Sequence, residues 1–257
     1  MLTVVVLTLL LLAVLLAGYR YLLRPVFVGI YFGVGPLLLL ANARRLDLQA
    51  FTWAKVITLA VSVAAFVWYP RAKAAGQRRL GWALAAILVL NVLEAVVADA
   101  VGGQWVNALV GVSLIATVGG PSRITAASRD GRPAMRYALP WSWILTYTLW
   151  NIAVVCAHYP LHWIDHAAVL SAPLIVAVTA RDRAFWLEAR GFTLGLYAVG
   201  IVLVLDLGGF AWIPSGPSPA GVLPWFNALA VGLAGWNLWT AIAVRRPAPV
   251  TTTRAAL

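Results

Sequence analysis

The sequence predicts an all-α fold, a polytopic bundle of transmembrane helices, from three observations. The 257-residue chain is 63% hydrophobic and 11% charged, and its mean hydropathy is +0.89. Apolar runs of about 18 residues or more recur along it, and in hydrocarbon such runs are helical because unpaired backbone amides are costly there. The weakly apolar stretches between them have the length of loops. We therefore predict a single integral membrane domain over residues 1–257.

Nine spans account for the apolar runs, and each is bounded by an Arg-rich or a Gly/Pro-rich break. In chain order, the predicted spans are residues 2–19, 25–42, 50–69, 80–101, 104–118, 137–157, 161–180, 185–206 and 224–243. The first lacks a basic segment before it and a small-residue cleavage site, so we expect it to be retained rather than removed as a signal peptide.

Two spans depart from the simple pattern. The second contains Gly35 and Pro36, which predict a kink. The fifth, residues 104–118, would be roughly 22 Å long at ~1.5 Å per residue, less than the ~30 Å hydrocarbon core. Eight spans are therefore the alternative to nine. Residues 244–257 are predicted to form a short, flexible cytoplasmic tail.

The distribution of basic residues predicts the orientation. Of the 19 Lys and Arg residues, 16 fall at alternate junctions between spans, and only Arg44, Arg45 and Lys55 fall on the other side. Because basic residues stay in the cytoplasm, this split favours nine spans, with the N-terminus outside and the C-terminus cytoplasmic. We expect a bacterial inner membrane protein in contact with the lipid bilayer. The scattered basic residues form no nucleic-acid-binding stripe, so no nucleic acid partner is expected.

Polar residues inside the spans are candidate functional groups, because a charged side chain at the bilayer centre costs about 2.5–3.5 kcal/mol. The fourth span carries Asn91, Glu94 and Asp99. Glu94 lies about 21 Å along this helix and shares a face with Asn91, so we predict that it binds a proton or a cation. Asp99 is rotated from Glu94 by about 140° and is expected to be solvated near the outer surface. On the sixth span, Tyr147 and Asn151 form a further polar strip.

The three histidines of the chain, His158, His162 and His166, lie between the sixth and seventh spans, with Asp165 among them. The predicted topology places all four at the outer face. His162 and His166 have the one-turn spacing with which a helix offers two nitrogens to one metal ion, and Asp165 would ligate the metal or orient an imidazole. The pattern leaves three interpretations open: ordinary interfacial residues, a proton-handling cluster and a metal site, for which zinc is the expected ion.

Four short stretches resemble a family of uncharacterised bacterial multipass membrane proteins. They are NVLEAVVAD (91–99), NALVG (107–111), TYTLWNIA (146–153) and WLEARGFTLGLY (186–197). The resemblance implies that Glu94, Asn151 and Glu188 belong to machinery shared within that family. It implies no particular activity.

A second resemblance concerns membrane-embedded zinc hydrolases of the alkaline ceramidase and adiponectin-receptor type. His162 and His166 are similar to their paired histidines, and Asp99 to their aspartate. This resemblance implies a zinc cofactor and hydrolysis of a lipid. The Ser-x-x-x-His motif that these enzymes carry on an early helix is absent here.

Three functions follow as hypotheses. The first is a small transporter or permease-like protein in which Glu94 and the outer histidines bind a cation or relay protons. The second is a zinc-dependent enzyme acting on a lipid. The third is a non-catalytic subunit that scaffolds a larger membrane complex. The expected protein partners are other membrane subunits or further copies of this chain. No Walker A motif occurs, so this chain encodes no nucleotide-driven pump.

Overall fold

A computed structural model describes residues 2–21, 24–30, 33, 35, 37, 50–129, 131–161, 163–206 and 216–245. This part of the chain is predominantly helical. The elements are α1 (Leu2–Tyr21), α2 (Arg24–Gly29), α3 (Ala50–Trp68), α4 (Ala74–Val101), α5 (Trp105–Thr117), β1 (Ile124–Arg129), β2 (Arg132–Tyr137), α6 (Trp141–His158), α7 (Trp163–Thr179), α8 (Trp186–Asp206) and α9 (Leu223–Arg245). Single turns of 3₁₀ helix cover Tyr69–Arg71, Pro121–Arg123, Arg183–Phe185 and Pro219–Gly221.

The predicted helical fold is confirmed, and the helices occupy the apolar runs found in the sequence. The largest difference is at the start of α4, which begins at Ala74, six residues before the predicted Leu80. The second run, residues 25–42, is only partly described, with α2 covering Arg24–Gly29. Residues 246–257 of the predicted tail lie outside the described residues.

The all-α prediction missed a β-hairpin in the segment interpreted as a loop between α5 and α6. Strands β1 and β2 pair antiparallel, with Ile124 opposite Tyr137 and Ala126 opposite Met135. Gly131 has a φ of +72°, the left-handed conformation that a residue with a Cβ adopts with strain, and it supplies the turn. The strands are short and carry three arginines, so no apolar run marked them. The segment is nevertheless partly buried, at Ile124 in β1 and at Ala134, Met135 and Tyr137 in β2.

Tyrosine hydroxyls fasten this hairpin to the helices. Tyr69 donates to the carbonyl of Ile124 at 2.8 Å, and Tyr137 lies 3.3 Å and 3.2 Å from the carbonyls of Val118 and Gly119. Burial raises the pKa of Tyr137 to about 12, so its hydroxyl stays protonated and donates at physiological pH. The hairpin is therefore a fixed part of the fold.

Helix α6 lies at the centre of the packing. It contacts α5, α7 and α9, while α4 packs along α5 and α8 packs along α7 and α3. The largest side chains in the core are indoles, Trp143, Trp150 and Trp186, each about 1% exposed. At Gly191 a Cβ would come within 2.2 Å of Phe66 Cε2, so α8 and α3 approach closely at this glycine. Glycine permits this close approach of two helices because it has no side chain.

Two of the described helices are long and apolar enough to cross a membrane, α4 and residues Leu223–Ala243 of α9. Four other apolar helical stretches are shorter: Val4–Arg20, Ile57–Arg71, Trp105–Thr117 and Trp163–Thr179. These features give weak evidence of membrane association by length and composition alone.

Candidate functional site

The most unusual ionisable side chain in the described structure is Asp99, near the C-terminal end of α4. It has no exposed surface, although aspartate is rarely fully buried unless it is paired. Its Oδ1 lies 2.8 Å from Nε2 of His158, the last residue of α6. The His158 side chain is 29% exposed, so the buried carboxylate of Asp99 contacts an imidazole that reaches the protein surface. A carboxylate–imidazole pair of this kind joins the ends of two helices 59 residues apart in sequence.

The second oxygen of this carboxylate is also buried. Asp99 Oδ2 has no hydrogen-bond partner among the described residues, and the same holds for Oδ1 and Nδ2 of Asn107, a neighbouring side chain that is 2% exposed. The backbone carbonyl of Asn107 accepts a bond from Trp150 Nε1 at 2.8 Å, which fixes α5 against α6 here. Buried polar atoms are normally satisfied, so unpartnered atoms beside a carboxylate mark this place as a candidate binding site.

A second acid–histidine pair lies on α7. Asp165 Oδ2 accepts a hydrogen bond from the Tyr197 hydroxyl at 2.8 Å and lies 3.5 Å from Nδ1 of His166. The His166 ring stacks on Tyr159, with centroids 5.7 Å apart and planes within 7°, and meets Tyr197 edge-on at 5.5 Å. The rings of Tyr159 and Tyr197 and the carboxylate of Asp165 hold this imidazole in place.

The structure thus divides the predicted histidine cluster between two carboxylates. His158 contacts Asp99 and His166 contacts Asp165, while His162 lies outside the described residues. Within the described ranges, no three His, Cys, Asp or Glu side chains converge to hold a metal ion. The expectation that Asp99 is solvated was wrong. Its helix packs on α5 at this level, so the carboxylate faces protein and not the outer surface.

The remaining candidates on α4 and α6 lie in different surroundings. Asn91 is exposed, and its amide donates to the carbonyl of Ile87 on its own helix at 3.0 Å. Glu94 is half-buried. Asn151 is half-buried and donates to the carbonyl of Tyr147, also within its own helix, at 3.0 Å. These local bonds engage the two amides within their own helices and do not join them to the acid–histidine pairs.

At the opposite end of α6, Tyr147 is buried among aromatic rings. It stacks on Trp143 with centroids 5.4 Å apart and meets Trp186 edge-on at 5.1 Å. The Arg190 guanidinium lies over the same ring, with Cζ 5.4 Å from the centroid. Tyr147 therefore belongs to an aromatic and cationic cluster, about 16 Å from His158 at 1.5 Å per helical residue.

Glu188 is a further fully buried carboxylate. Its Oε2 accepts a hydrogen bond from the backbone N–H of Met135 in β2 at 2.7 Å. This contact has a structural role. It links α8 to the hairpin and satisfies a buried strand donor.

The protein is thus predominantly helical, with an acid–histidine site at one end. There a fully buried carboxylate pairs with a half-buried imidazole, and the two groups come from the ends of two helices. The chain belongs to DUF5692, a family of unknown function, whose family model matches residues 1–207. The resemblance to an uncharacterised family is thereby confirmed. The chain has no significant match among curated proteins or solved structures.

Proposed function

We propose that this protein is a nine-span transporter of the bacterial inner membrane that exchanges a proton for a cation at the Asp99–His158 pair. One observation carries the proposal: Asp99 is fully buried, with one oxygen on His158 and the other without a partner among the described residues. In this proposal the N-terminus lies outside and the C-terminus in the cytoplasm.

The helical surface supports insertion into a bilayer. Large apolar side chains are exposed along α4, including Leu90, Leu93 and Val97. A soluble protein rarely exposes a contiguous apolar stripe of this size. The indoles of Trp68, Trp105 and Trp225 are exposed at or near helix ends, where an amphipathic ring suits the headgroup region.

Contacts at one end of the helices support the orientation. Arg129 donates to the Tyr19 hydroxyl at 2.9 Å, and Arg136 pairs with Asp182 at 2.9 Å. Together with the bond from Tyr69 to the hairpin, these contacts gather the Arg-rich junctions after α1, α3, α5 and α7 at one end. Asp99 and His158 lie at the other ends of α4 and α6. A cytoplasmic basic end therefore puts the acid–histidine pair at the outer face.

Single-cysteine labelling in intact cells tests this orientation. With the one native cysteine removed by C156A, a membrane-impermeant maleimide is expected to label Q104C in intact cells and S128C only after permeabilisation. Both positions are exposed, Gln104 beside Asp99 and Ser128 in the hairpin. The reverse pattern would contradict the orientation and would place the acid–histidine pair in the cytoplasm.

The chemistry of the pair fits an exchange. With the imidazole protonated, His158 compensates the charge of Asp99 within hydrogen-bond distance. With the imidazole neutral, the buried carboxylate lacks this charge compensation, which is costly in a low-dielectric site. A cation bound by Asp99 Oδ2 and Asn107 Oδ1 would then restore neutrality, since hard cations prefer oxygen ligands. Proton and cation would compete for the same negative charge.

A flux assay in proteoliposomes tests the exchange. With pyranine trapped inside, an external pulse of Na⁺ or K⁺ is expected to alkalinise the lumen, because cation entry is coupled to proton exit. We expect D99N to reduce this signal to that of protein-free liposomes, since the amide keeps the shape of Asp99 but carries no charge. H158Q is expected to respond similarly, because a glutamine side chain cannot carry the proton that the imidazole holds.

D165N is the matched control, since it removes the carboxylate of the other acid–histidine pair and leaves Asp99 intact. It should retain the exchange. E94Q tests the acidic residue on α4 favoured by the sequence, on a face about 140° from Asp99. Exchange in D99N at the wild-type rate would refute the proposed role of this pair, whereas loss of exchange in E94Q alone would assign the coupling to Glu94.

A further inference from the structure

A second cluster, at the end of α6 away from the Asp99–His158 pair, centres on Tyr147. Trp186 and Arg190 are four residues apart on α8 and thus share one face of that helix. Both contact the Tyr147 ring, Trp186 edge-on at 5.1 Å and Arg190 with its guanidinium carbon 5.4 Å from the centroid. Arg190 Nε also donates to the Tyr147 hydroxyl at 3.4 Å.

This cluster holds two hydrogen-bond donors without acceptors. Arg190 Nη1 and Trp186 Nε1 are both buried and have no partner among the described residues, and Trp186 is only 1% exposed. The neighbouring indoles differ, because Trp143 donates to the carbonyl of Leu114 at 3.1 Å and Trp150 to that of Asn107 at 2.8 Å. The unmet donors are thus specific to the two residues that α8 contributes.

The nature of these donors indicates what would satisfy them. An indole N–H and a guanidinium only donate, so the complement is a group that only accepts. The guanidinium also carries a positive charge, and the cation–π contact with Tyr147 compensates it only in part. The nearby carboxylate of Glu188 is engaged with the Met135 N–H. An oxyanion supplies both the acceptors and the negative charge, and guanidinium binds carboxylate and phosphate particularly well.

We propose that Arg190 and Trp186, together with the hydroxyl of Tyr147, form a binding site for an oxyanion between α6 and α8. The ligand is the carboxylate or phosphate of a small solute or of a lipid headgroup. The site lies about 16 Å along α6 from His158 and uses none of the groups assigned to proton–cation exchange. It therefore stands whether or not that exchange occurs.

Thermal unfolding of the purified full-length protein in detergent tests the site. Sodium benzoate and sodium phosphate serve as soluble probes, with sodium chloride at the same ionic strength as reference. Nanodiscs containing phosphatidylglycerol or only phosphatidylcholine test the lipid source. A ligand that binds the folded state raises the midpoint of unfolding with concentration. A shift with benzoate or phosphate identifies a solute site, and a shift only with phosphatidylglycerol identifies a headgroup site.

Three variants locate the binding. W186F keeps an aromatic ring and removes the unmet N–H, and R190Q removes the charge. Each is expected to weaken binding by about tenfold or more, as when a hydrogen bond to a charged group is lost. W143F is the matched control, because the indole N–H that it removes is already bonded to Leu114 and wild-type binding should persist.

The unliganded unfolding midpoint of every variant is measured first, so that loss of fold is not mistaken for loss of binding. If R190Q does not fold, R190K replaces it, since lysine keeps the charge but lacks the planar donor fork. Wild-type protein that responds to none of the probes would overturn the proposal. So would W186F and the Arg190 variant binding with wild-type affinity.

Discussion

Replacement of Glu188 by alanine is expected to release the β-hairpin from the helices and to lower the free energy of unfolding by about 1–3 kcal/mol, the cost of leaving a buried donor unsatisfied. The Glu188 carboxylate has no exposed surface, and its Oε2 accepts the Met135 N–H at 2.7 Å. Alanine leaves this strand N–H buried without an acceptor and removes the packed methylene groups of the side chain. Amide hydrogen exchange at residues 132–137 measures the release of the hairpin, and SDS-induced unfolding in micelles measures the loss of free energy of unfolding.

Glu188→Gln separates the hydrogen bond from the charge. Glutamine has nearly the same shape and keeps an acceptor oxygen, so we expect E188Q to preserve exchange protection at Met135 and to unfold closer to wild type than E188A. If Met135 exchanges as slowly in E188A as in wild type, Glu188 does not hold the hairpin. If E188Q is as damaged as E188A, the charge matters more than the acceptor.

The helical part of the fold was predictable because it depends on a single property, the length of each apolar run. Arginine-rich and glycine-rich breaks marked the ends of α5 to α9 closely. The hairpin was not predictable in the same way. Its strands are six residues each and half of their side chains point outward, so they lack a run that stands out against the loops around them. Its stability comes from Tyr69 and Glu188, which are remote in sequence.

The candidate site was predictable in its residue types but not in its pairings. Asp99 and His158 were both recognised as out of place in an apolar chain. Their contact depends on how α4 and α6 are rotated about their own axes, and the faces that they present are set by packing on α5. Counting residues along α4 favoured Glu94, because Glu94 lies farther than Asp99 from the end of the predicted span. The depth of Asp99 comes instead from the helices that cover it, which single-sequence reasoning does not place.

Asn107 illustrates the same limit on a smaller scale. It follows Asp99 by eight residues across the Gly102–Gly103 turn, so the antiparallel return of α5 brings the two side chains together. Among several amides in the apolar runs, sequence alone gave no reason to prefer it. Its unpartnered amide beside the carboxylate is visible only in three dimensions. Sites made of one residue from each of several helices therefore emerge from packing and not from motifs.

Gly111 on α5 lies where that helix meets both α4 and α6, so even one added methyl group is expected to destabilise the fold. A Cβ there would lie 2.3 Å from Val96 Cγ2 and 2.8 Å from Trp150 Cζ2. Neither neighbour can yield easily, because valine is stiff at χ1 and the Trp150 indole is buried and bonded to Asn107. We expect G111A to lower the free energy of unfolding by about 1–3 kcal/mol, the usual cost of overpacking a core.

The control is G232A on α9, where an added Cβ meets no atom within 4 Å of the described structure. Alanine also has a higher helix propensity than glycine. In SDS titration, G232A should therefore unfold at an SDS concentration at least as high as that for wild type. The displaced Trp150 indole in G111A should also disturb Asn107 and, through it, the Asp99 carboxylate. We therefore expect G111A to weaken cation-driven alkalinisation while G232A retains it. Equal stability and equal exchange in the two variants would show that this three-helix contact does not support the site.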